Sequence, residues 1–274
     1  FDAERSPGWH RWRSKHVPSA LALFPLQLPD RGMLADGTPL ADHEQHWFRH
    51  LLDAVAIRSR AGVMQGLLSE RLATMDGCPQ RWLSLASGAA VPVFEAAKSL
   101  RKEGRSLHLT LLDHDRGALS LASSLATEYG LSEHLRIKRA NVLSRKALKR
   151  VVSQDSFNVV DILGLFEYLP DEDWIYRPRR GQARRGHSML GAAGLLRLAR
   201  ELLAPAGILI FSNMLDTHPQ LSFTMNVVQW PYIRPRSILD VERIIAAAKL
   251  PLAEFEVFIP PDGAYAIYVL HRSG

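Results

Sequence analysis

The sequence predicts an α/β protein: a doubly wound, mostly parallel seven-stranded sheet that ends in an antiparallel hairpin, preceded by an N-terminal helical segment. Three observations carry this. From Arg81 onward, short apolar runs of strand length alternate with stretches of helical period, the rhythm of a parallel sheet with helices on both faces. Near the C-terminus two strand-like runs flank Pro260-Pro261-Asp262-Gly263, which is hairpin chemistry. Before the alternation begins, Pro7, Pro18, Pro25, Pro29 and Pro39 punctuate an irregular stretch that lies outside the sheet.

At 274 residues the chain reads as one large domain plus an appendage. We divide it into an irregular and helical cap or lid segment, 1–78, and a core, 79–274, with a basic insertion at about 171–190. Hydrophobic residues at 47% and charged residues at 23% exclude a disordered tail, a collagen-like fibre and a disulfide scaffold. A lone cysteine, Cys78, excludes an internal disulfide and a four-cysteine metal site, and no metal is expected. It suits a reducing compartment, so cytoplasmic placement is the expectation. No run of about 18 apolar residues offers a membrane span. The start lacks the zones of a signal peptide, and Phe1 in place of Met reads as a trimmed chain. Lys plus Arg number 34 against 28 Asp plus Glu, a formal charge of +6. That admits an anionic partner, although a solvated basic surface explains it equally.

The elements follow in order. Trp9, Trp12, Phe24 and the run Ala20 to Leu28 should dock on a core. Residues 42 to 75 read as one or two helices capped by Asp42, with Trp47, Leu51, Leu52, Val55, Ala56, Val63, Leu67, Leu68 and Leu72 at helical spacing. Arg49, Arg58, Arg60 and Arg71 among them read as a solvated face. Strands are expected at Trp82 to Ala86, Leu107 to Leu112, Arg136 to Ala140, Val159 to Leu163 and Gly207 to Phe211. Helices are expected at Val91 to Lys102, Gly117 to Tyr129, Ser144 to Val152 and Gly191 to Leu203. The tail holds a helix, Ile238 to Lys249, and the hairpin strands Ala253 to Ile259 and Ala264 to His271.

The first strand-to-helix turn is Ser84-Leu85-Ala86-Ser87-Gly88-Ala89-Ala90, and six of its seven residues are Ser, Ala or Gly. In doubly wound folds ligands bind outside the carboxyl ends of the strands, where such a turn lets them approach the backbone. Its amides and the next helix N-terminus can hold an anionic group. Tight helix–strand packing explains the same residues. The second strand ends Leu111-Leu112-Asp113-His114-Asp115. Asp113 is placed for ribose hydroxyls, and Asp115 reads as a helix cap. Asn141-Val142, after the third strand, can meet an adenine edge or form a turn. A dinucleotide dehydrogenase would carry G-x-G-x-x-G, and only Gly88 of that pattern stands.

From Arg81 to the C-terminus the chain resembles the class I S-adenosylmethionine-dependent methyltransferases, which implies a Rossmann-like fold, methyl transfer and S-adenosyl-L-methionine as cofactor. The resemblance rests on Ser84 to Ala90, on Leu111-Leu112-Asp113, on Ala140-Asn141-Val142, on Asp161 to Pro170, and on Leu202-Leu203-Ala204-Pro205-Ala206-Gly207-Ile208-Leu209-Ile210. It implies cofactor contacts at Ser84, Ala86, Ser87, Gly88, Asp113, His114, Asn141, Val142, Gly164 and Leu165. Three positions depart from the family pattern: Ser84 replaces the usual acid, and Ala86 and Ala90 replace glycines. A weaker likeness links Gly164 to Pro170, Asn213-Met214 and Trp230 to Arg234 to bacterial methyltransferases associated with hydroxy-fatty-acid methyl ester formation.

Candidate bases follow strands four and five: Glu167, Tyr168, Asp216 and His218. His218 and Tyr168 are taken as the catalytic pair, His218 as base and Tyr168 to orient a substrate. The insertion Tyr176 to His187 holds five arginines and reads as a lid, a site for an anionic or carrier-bound acceptor, or a solvated loop. Nucleic acid is the weaker expectation, because few aromatics interleave the arginines. The acceptor is expected to be a small molecule with an apolar body and an oxygen nucleophile, carboxylate ahead of hydroxyl. Trp47, Phe48, Phe166, Tyr168, Met214, Phe223, Met225, Trp230 and Tyr232 are its candidate walls. Arg58, Arg60, Arg234 or the insertion arginines are the candidate grip for a carboxylate. The alternatives are a degenerate methyltransferase fold that binds a partner without catalysis, and an RNA methyltransferase.

Overall fold

The computed structural model describes residues 4–73, 79–152, 156–176 and 187–272. The main sheet contains β1 (Gln80–Leu85), β2 (Leu107–Asp113), β3 (Leu135–Arg139), β4 (Phe157–Ile162), β7 (Leu203–Met214), β8 (Phe255–Phe258) and β9 (Tyr265–His271). Their order is β3-β2-β1-β4-β7-β9-β8. The first five are parallel, and β9 runs antiparallel between β7 and β8. A separate two-stranded hairpin, β5 (Trp174–Tyr176) with β6 (His187–Met189), forms the base of the expected insertion. The insertion arginines Arg177, Arg179, Arg180, Arg184 and Arg185, and Cys78, lie outside the described residues.

Both faces of the sheet are buried, and successive residues serve opposite faces. Trp82, Leu109, Leu111, Val159, Ile208 and Ile210 pack with α4 (Leu52–Ala73) and α5 (Val91–Lys102). Leu83, Leu112, Val160, Leu209 and Phe211 pack with α8 (Ala192–Glu201) and α10 (Ile238–Ala247). Two further helices, α6 (Arg116–Glu128) and α7 (Arg145–Val151), follow β2 and β3; Asp115 and Ser144 cap them by accepting from Ala118 N and Ala147 N at 3.0 and 3.3 Å. Gly207 is required by close approach: a Cβ there would lie 2.9 Å from the carbonyl oxygens of Ala204 and Phe157.

The N-terminal segment folds over the carboxyl ends of the strands. It contains α1 (Pro7–Arg11), α2 (Phe24–Gln27) and α3 (Asp42–His50). Trp12, Leu26, Phe48 and Ile57 form a third core with Met214 and Tyr265 from the sheet end and Trp230 from the chain beyond β7. Trp12 is fully buried and its Nε1 donates to Ala22 O at 2.8 Å. Two expectations need correction. Asp42 does not cap α3: the side chain of buried Glu44 accepts from Ala41 N and Trp9 N, both at 2.9 Å, and ties two pieces of chain together. Arg60 is not on a solvated face: it is 4% exposed, because it shares one stripe of α4 with Ile57 and Met64.

Candidate functional site

The turn from β1 to α5 takes left-handed backbone at three residues: Ala86 at φ 54°, Gly88 at 56° and Ala90 at 58°. The two alanines that depart from the glycine pattern therefore keep the glycine conformation, at about 1–2 kcal/mol each. Neighbours hold the turn. Ser87 N donates to Leu112 O at 3.1 Å, Gly88 N to Asp113 Oδ2 at 2.8 Å, and Ala90 N to Ser87 O at 2.9 Å. Ser87 Oγ is shielded from solvent and has no protein partner among the described residues.

Ser84, Ala86, Ser87, Gly88, Asp161 and Gly164 line a cavity of about 70 Å³ closed by Ala20, Leu23 and Gln27. Asp161 is 2% exposed; it accepts from Trp82 Nε1 at 2.7 Å and from Ser84 Oγ at 3.0 Å. Burial pushes its carboxyl pKa up to about 7, against the pull of those two hydrogen bonds.

The other expected cofactor residues are not among those lining this cavity. Asp113 is buried, with its second oxygen accepting from Asp115 N at 2.9 Å. His114 is exposed, with Nδ1 3.4 Å from Asp113 Oδ1. Asn141 closes a turn onto Leu143 N at 3.0 Å and borders a separate depression beside Arg145 and Lys146. Val142 belongs to the core, and half-buried Leu165 packs against it.

A second cavity, about 40 Å³, is lined by Trp12, Ile57, Tyr168, Met214, Trp230 and Tyr265 together with Asp53, Arg60 and Glu167. Leu23, Arg60 and Gly164 line both cavities, so the two adjoin. Arg60 donates to Ser212 Oγ at 3.2 Å, stands 3.6 Å from Glu167 Oε1, and stacks 4.5 Å above the Tyr265 ring. Glu167 is 4% exposed, and its Oε2 has no partner among the described residues. Burial raises the Glu167 pKa, and the Arg60 charge opposes the rise. Burial also holds the Tyr168 hydroxyl above its usual range; this oxygen accepts from Trp230 Nε1.

His218 stands differently from its expected role. Its Nδ1 accepts from Gln220 N at 2.9 Å, so in the neutral ring Nε2 carries the proton and donates to Asp53 Oδ1 at 3.0 Å. Thr224 Oγ1 donates to the other Asp53 oxygen at 2.7 Å. Both ring nitrogens are engaged, and His218 is not among the residues lining the cavity. It holds Asp53 in place.

Of the expected acceptor walls, Tyr168, Met214 and Trp230 line the cavity. Phe48 and Phe166 are core, and Tyr232 is 81% exposed. Arg58 spends its guanidinium on Leu26 O and Arg49 O, and Arg234 is exposed, which leaves Arg60 as the cavity's one arginine among the described residues. Contributors that the sequence did not announce include Trp12, Tyr265, Asp53, Asp161 and Arg236. Arg236 is buried and donates to Asn213 Oδ1 at 2.9 Å, Asp171 Oδ1 at 2.8 Å and Phe166 O at 3.2 Å, so it fixes the loop that carries Glu167. The apolar company of Trp12 and Tyr265 was visible in sequence; which loop they would face was not.

Known proteins resemble this chain in fold. Residues 44–229 match the family described as "Putative methyltransferase". No curated protein matches the sequence. Among solved structures, a possible exported protein from Bordetella parapertussis is 16% identical with a TM-score of 0.61, covering 100% of this chain and 80% of its own. An O-methyltransferase family protein from Burkholderia thailandensis is 16% identical with a TM-score of 0.54; 91% of this chain is covered, and this chain spans 64% of that one. Magnesium protoporphyrin IX methyltransferase from Synechocystis PCC 6803 with bound SAH is 12% identical with a TM-score of 0.53, covering 81% and 87%. Among the described residues no helix is long and apolar enough to cross a membrane. The match covers well over half the sequence and the sheet order agrees with it, so the chain belongs to this methyltransferase family and carries the fold of the class I S-adenosylmethionine-dependent methyltransferases.

Proposed function

We propose that this protein transfers a methyl group from S-adenosylmethionine to a hydroxyl of a small acceptor with an apolar body. The observation that carries the reading is the pair of adjoining cavities, one on the small-residue turn and one walled by aromatic side chains, which meet at Arg60 and Gly164. The turn fits the cofactor in three respects: left-handed backbone at 86, 88 and 90, the unpartnered Ser87 hydroxyl, and Asp113, whose carboxylate keeps lone pairs free for ribose hydroxyls. When bound, the cofactor supplies an electrophilic methyl on sulfur. Both cavities are smaller than an ordinary ligand site of roughly 300 Å³ or more. Ala20, Leu23 and Gln27 line the first cavity and Leu23 and Leu26 the second, so an outward shift of this segment would enlarge both.

The acceptor follows from the charges. Among the described residues the second cavity presents two carboxylates, Asp53 and Glu167, against one guanidinium, Arg60. A carboxylate acceptor would add a third buried negative charge. A hydroxyl instead donates to Glu167 Oε2 and gives up its proton there as the oxygen attacks, and a raised pKa suits that base. Hydroxyl thus moves ahead of carboxylate, and Glu167 replaces His218 as the base. The reading of a binding protein without catalysis loses two of its three motives, since Ala86 and Ala90 keep the turn's backbone, and Ser84 remains as the third.

Calorimetric titration with S-adenosylmethionine and S-adenosylhomocysteine tests the reading first, and binding of neither by the folded protein ends it. Transfer of labelled methyl to 4-alkylphenols against 4-alkylbenzoates tests the acceptor. Phenols are expected to be methylated, and a preference for the benzoates reverses the assignment.

A further inference from the structure

The family pattern has an acid at the end of β1, and this chain has Ser84. We propose that Asp161, on the neighbouring strand, supplies the negative charge that position 84 lacks and holds the α-ammonium of the cofactor's amino-acid end. The inference rests on the cofactor reading above.

The register brings the two positions together. Ser84 of β1 and Asp161 of β4 are direct partners in the parallel ladder. The Ser84 hydroxyl donates to Asp161 Oδ1 at 3.0 Å, so the carboxylate stands one hydrogen bond from the place the usual acid would fill. Asp161 lines the same cavity as Ser84, Ala86, Ser87 and Gly88, at the foot of the turn.

Asp161 is also incomplete as it stands. It is 2% exposed, and among the described residues no guanidinium or ammonium pairs with it. Its partners are an indole N–H and a hydroxyl, two of about four lone-pair sites on an ionised carboxylate. A buried carboxylate left without a counter-charge is costly, and a cation entering the cavity relieves that cost. The carboxyl pKa of about 7 in the free protein accords with a missing cation. Trp82 holds one oxygen and Ser84 the other. Beside them the unpartnered Ser87 hydroxyl offers a donor for the α-carboxylate of the same group. An ammonium and a carboxylate on one carbon match that pair of side chains.

The test compares two ligands that differ in the amino-acid end. S-Adenosylhomocysteine carries it, and 5′-methylthioadenosine keeps the nucleoside and thioether without it. Calorimetry on wild type and Asp161→Asn, both checked for folding by circular dichroism, is expected to show about tenfold or greater weakening for S-adenosylhomocysteine and under about twofold for methylthioadenosine. The swapped variant Ser84→Asp/Asp161→Ser is expected to recover S-adenosylhomocysteine affinity. Equal losses for both ligands, or no loss for S-adenosylhomocysteine, overturn the proposal. If Asp161→Asn fails to fold, the wild type decides: the preference for S-adenosylhomocysteine over methylthioadenosine should grow from pH 5.5 to 7.5, and a constant preference overturns it. Wild type that binds methylthioadenosine as tightly as S-adenosylhomocysteine defeats this inference alone. Wild type that binds neither defeats the cofactor reading on which it rests.

Discussion

Arg60 Nη1 and Glu167 Oε1 stand 3.6 Å apart at the junction of the two cavities, both side chains 5% exposed or less. Helix α4 of the N-terminal segment supplies the cation, and the loop after β4 supplies the anion. The N-terminal segment therefore contributes a charge to the site as well as a cover.

Removing one partner of a buried pair strands the other. Arg60→Met should lower the unfolding free energy by about 3–5 kcal/mol, since Glu167 then keeps only the weaker pull of the Arg236 charge and no solvent. Arg60→Met/Glu167→Gln should recover most of that loss. Urea denaturation of the two variants checks it; additive losses in the double variant would mean that the pair does not interact.

Glu167→Gln keeps the shape of the side chain and removes the base. Turnover of a phenolic acceptor should fall about 10²–10⁴-fold with S-adenosylhomocysteine affinity unchanged. His218→Ala acts only through Asp53 and should cost less turnover, with the loss appearing mainly in the acceptor's Michaelis constant. The reverse ranking of the two variants in kcat would return the base to His218.

The sheet was legible because its central strands are buried on both faces and most helices follow within a few residues, so local patterns carried the topology. The small-residue turn and Asp113 were legible for the same reason, being contiguous in sequence. The pairs Arg60 with Glu167 and Ser84 with Asp161 were not, because register and helix docking join them across long stretches of chain. Weak signals existed: Arg60 interrupts the stripe of Ile57 and Met64, and Asp161 interrupts the run Val159-Val160-Asp161-Ile162-Leu163. A charge inside an apolar period marks either a surface or a site, and only packing separates them. The short helices near Trp12 and Phe24 depend on tertiary contacts that no local period announces.

The left-handed alanines make a stability prediction opposite to the usual rule for glycine. Ala86→Gly and Ala90→Gly each relieve a positive φ, and the larger entropy of the unfolded glycine chain offsets part of the gain. Each should leave stability unchanged or raise it by up to about 1 kcal/mol. A loss above about 1 kcal/mol in thermal or urea unfolding would show that the methyl groups, buried at Ala90 and half-buried at Ala86, matter more than the strain.

The Asp161 carboxyl gives a pH signature with a definite sign. Its pKa is about 7 folded, against about 3.9 for an unfolded aspartate. Between those values the native state keeps a proton that the unfolded chain releases. Its stabilising contribution is full below about pH 4, shrinks as pH rises, and is gone above about pH 7, at a slope near 1.4 kcal/mol per pH unit. Asp161→Asn carries no such proton, so the variant should gain on wild type across that window by an amount on the order of 4 kcal/mol. Urea unfolding of both proteins from pH 4.5 to 8 isolates the term, because every other titrating group is shared. Saturating S-adenosylhomocysteine should reduce the difference in slope, since a bound ammonium lowers the carboxyl pKa toward its unfolded value. Parallel pH curves for the ligand-free proteins would mean that Asp161 is ionised throughout.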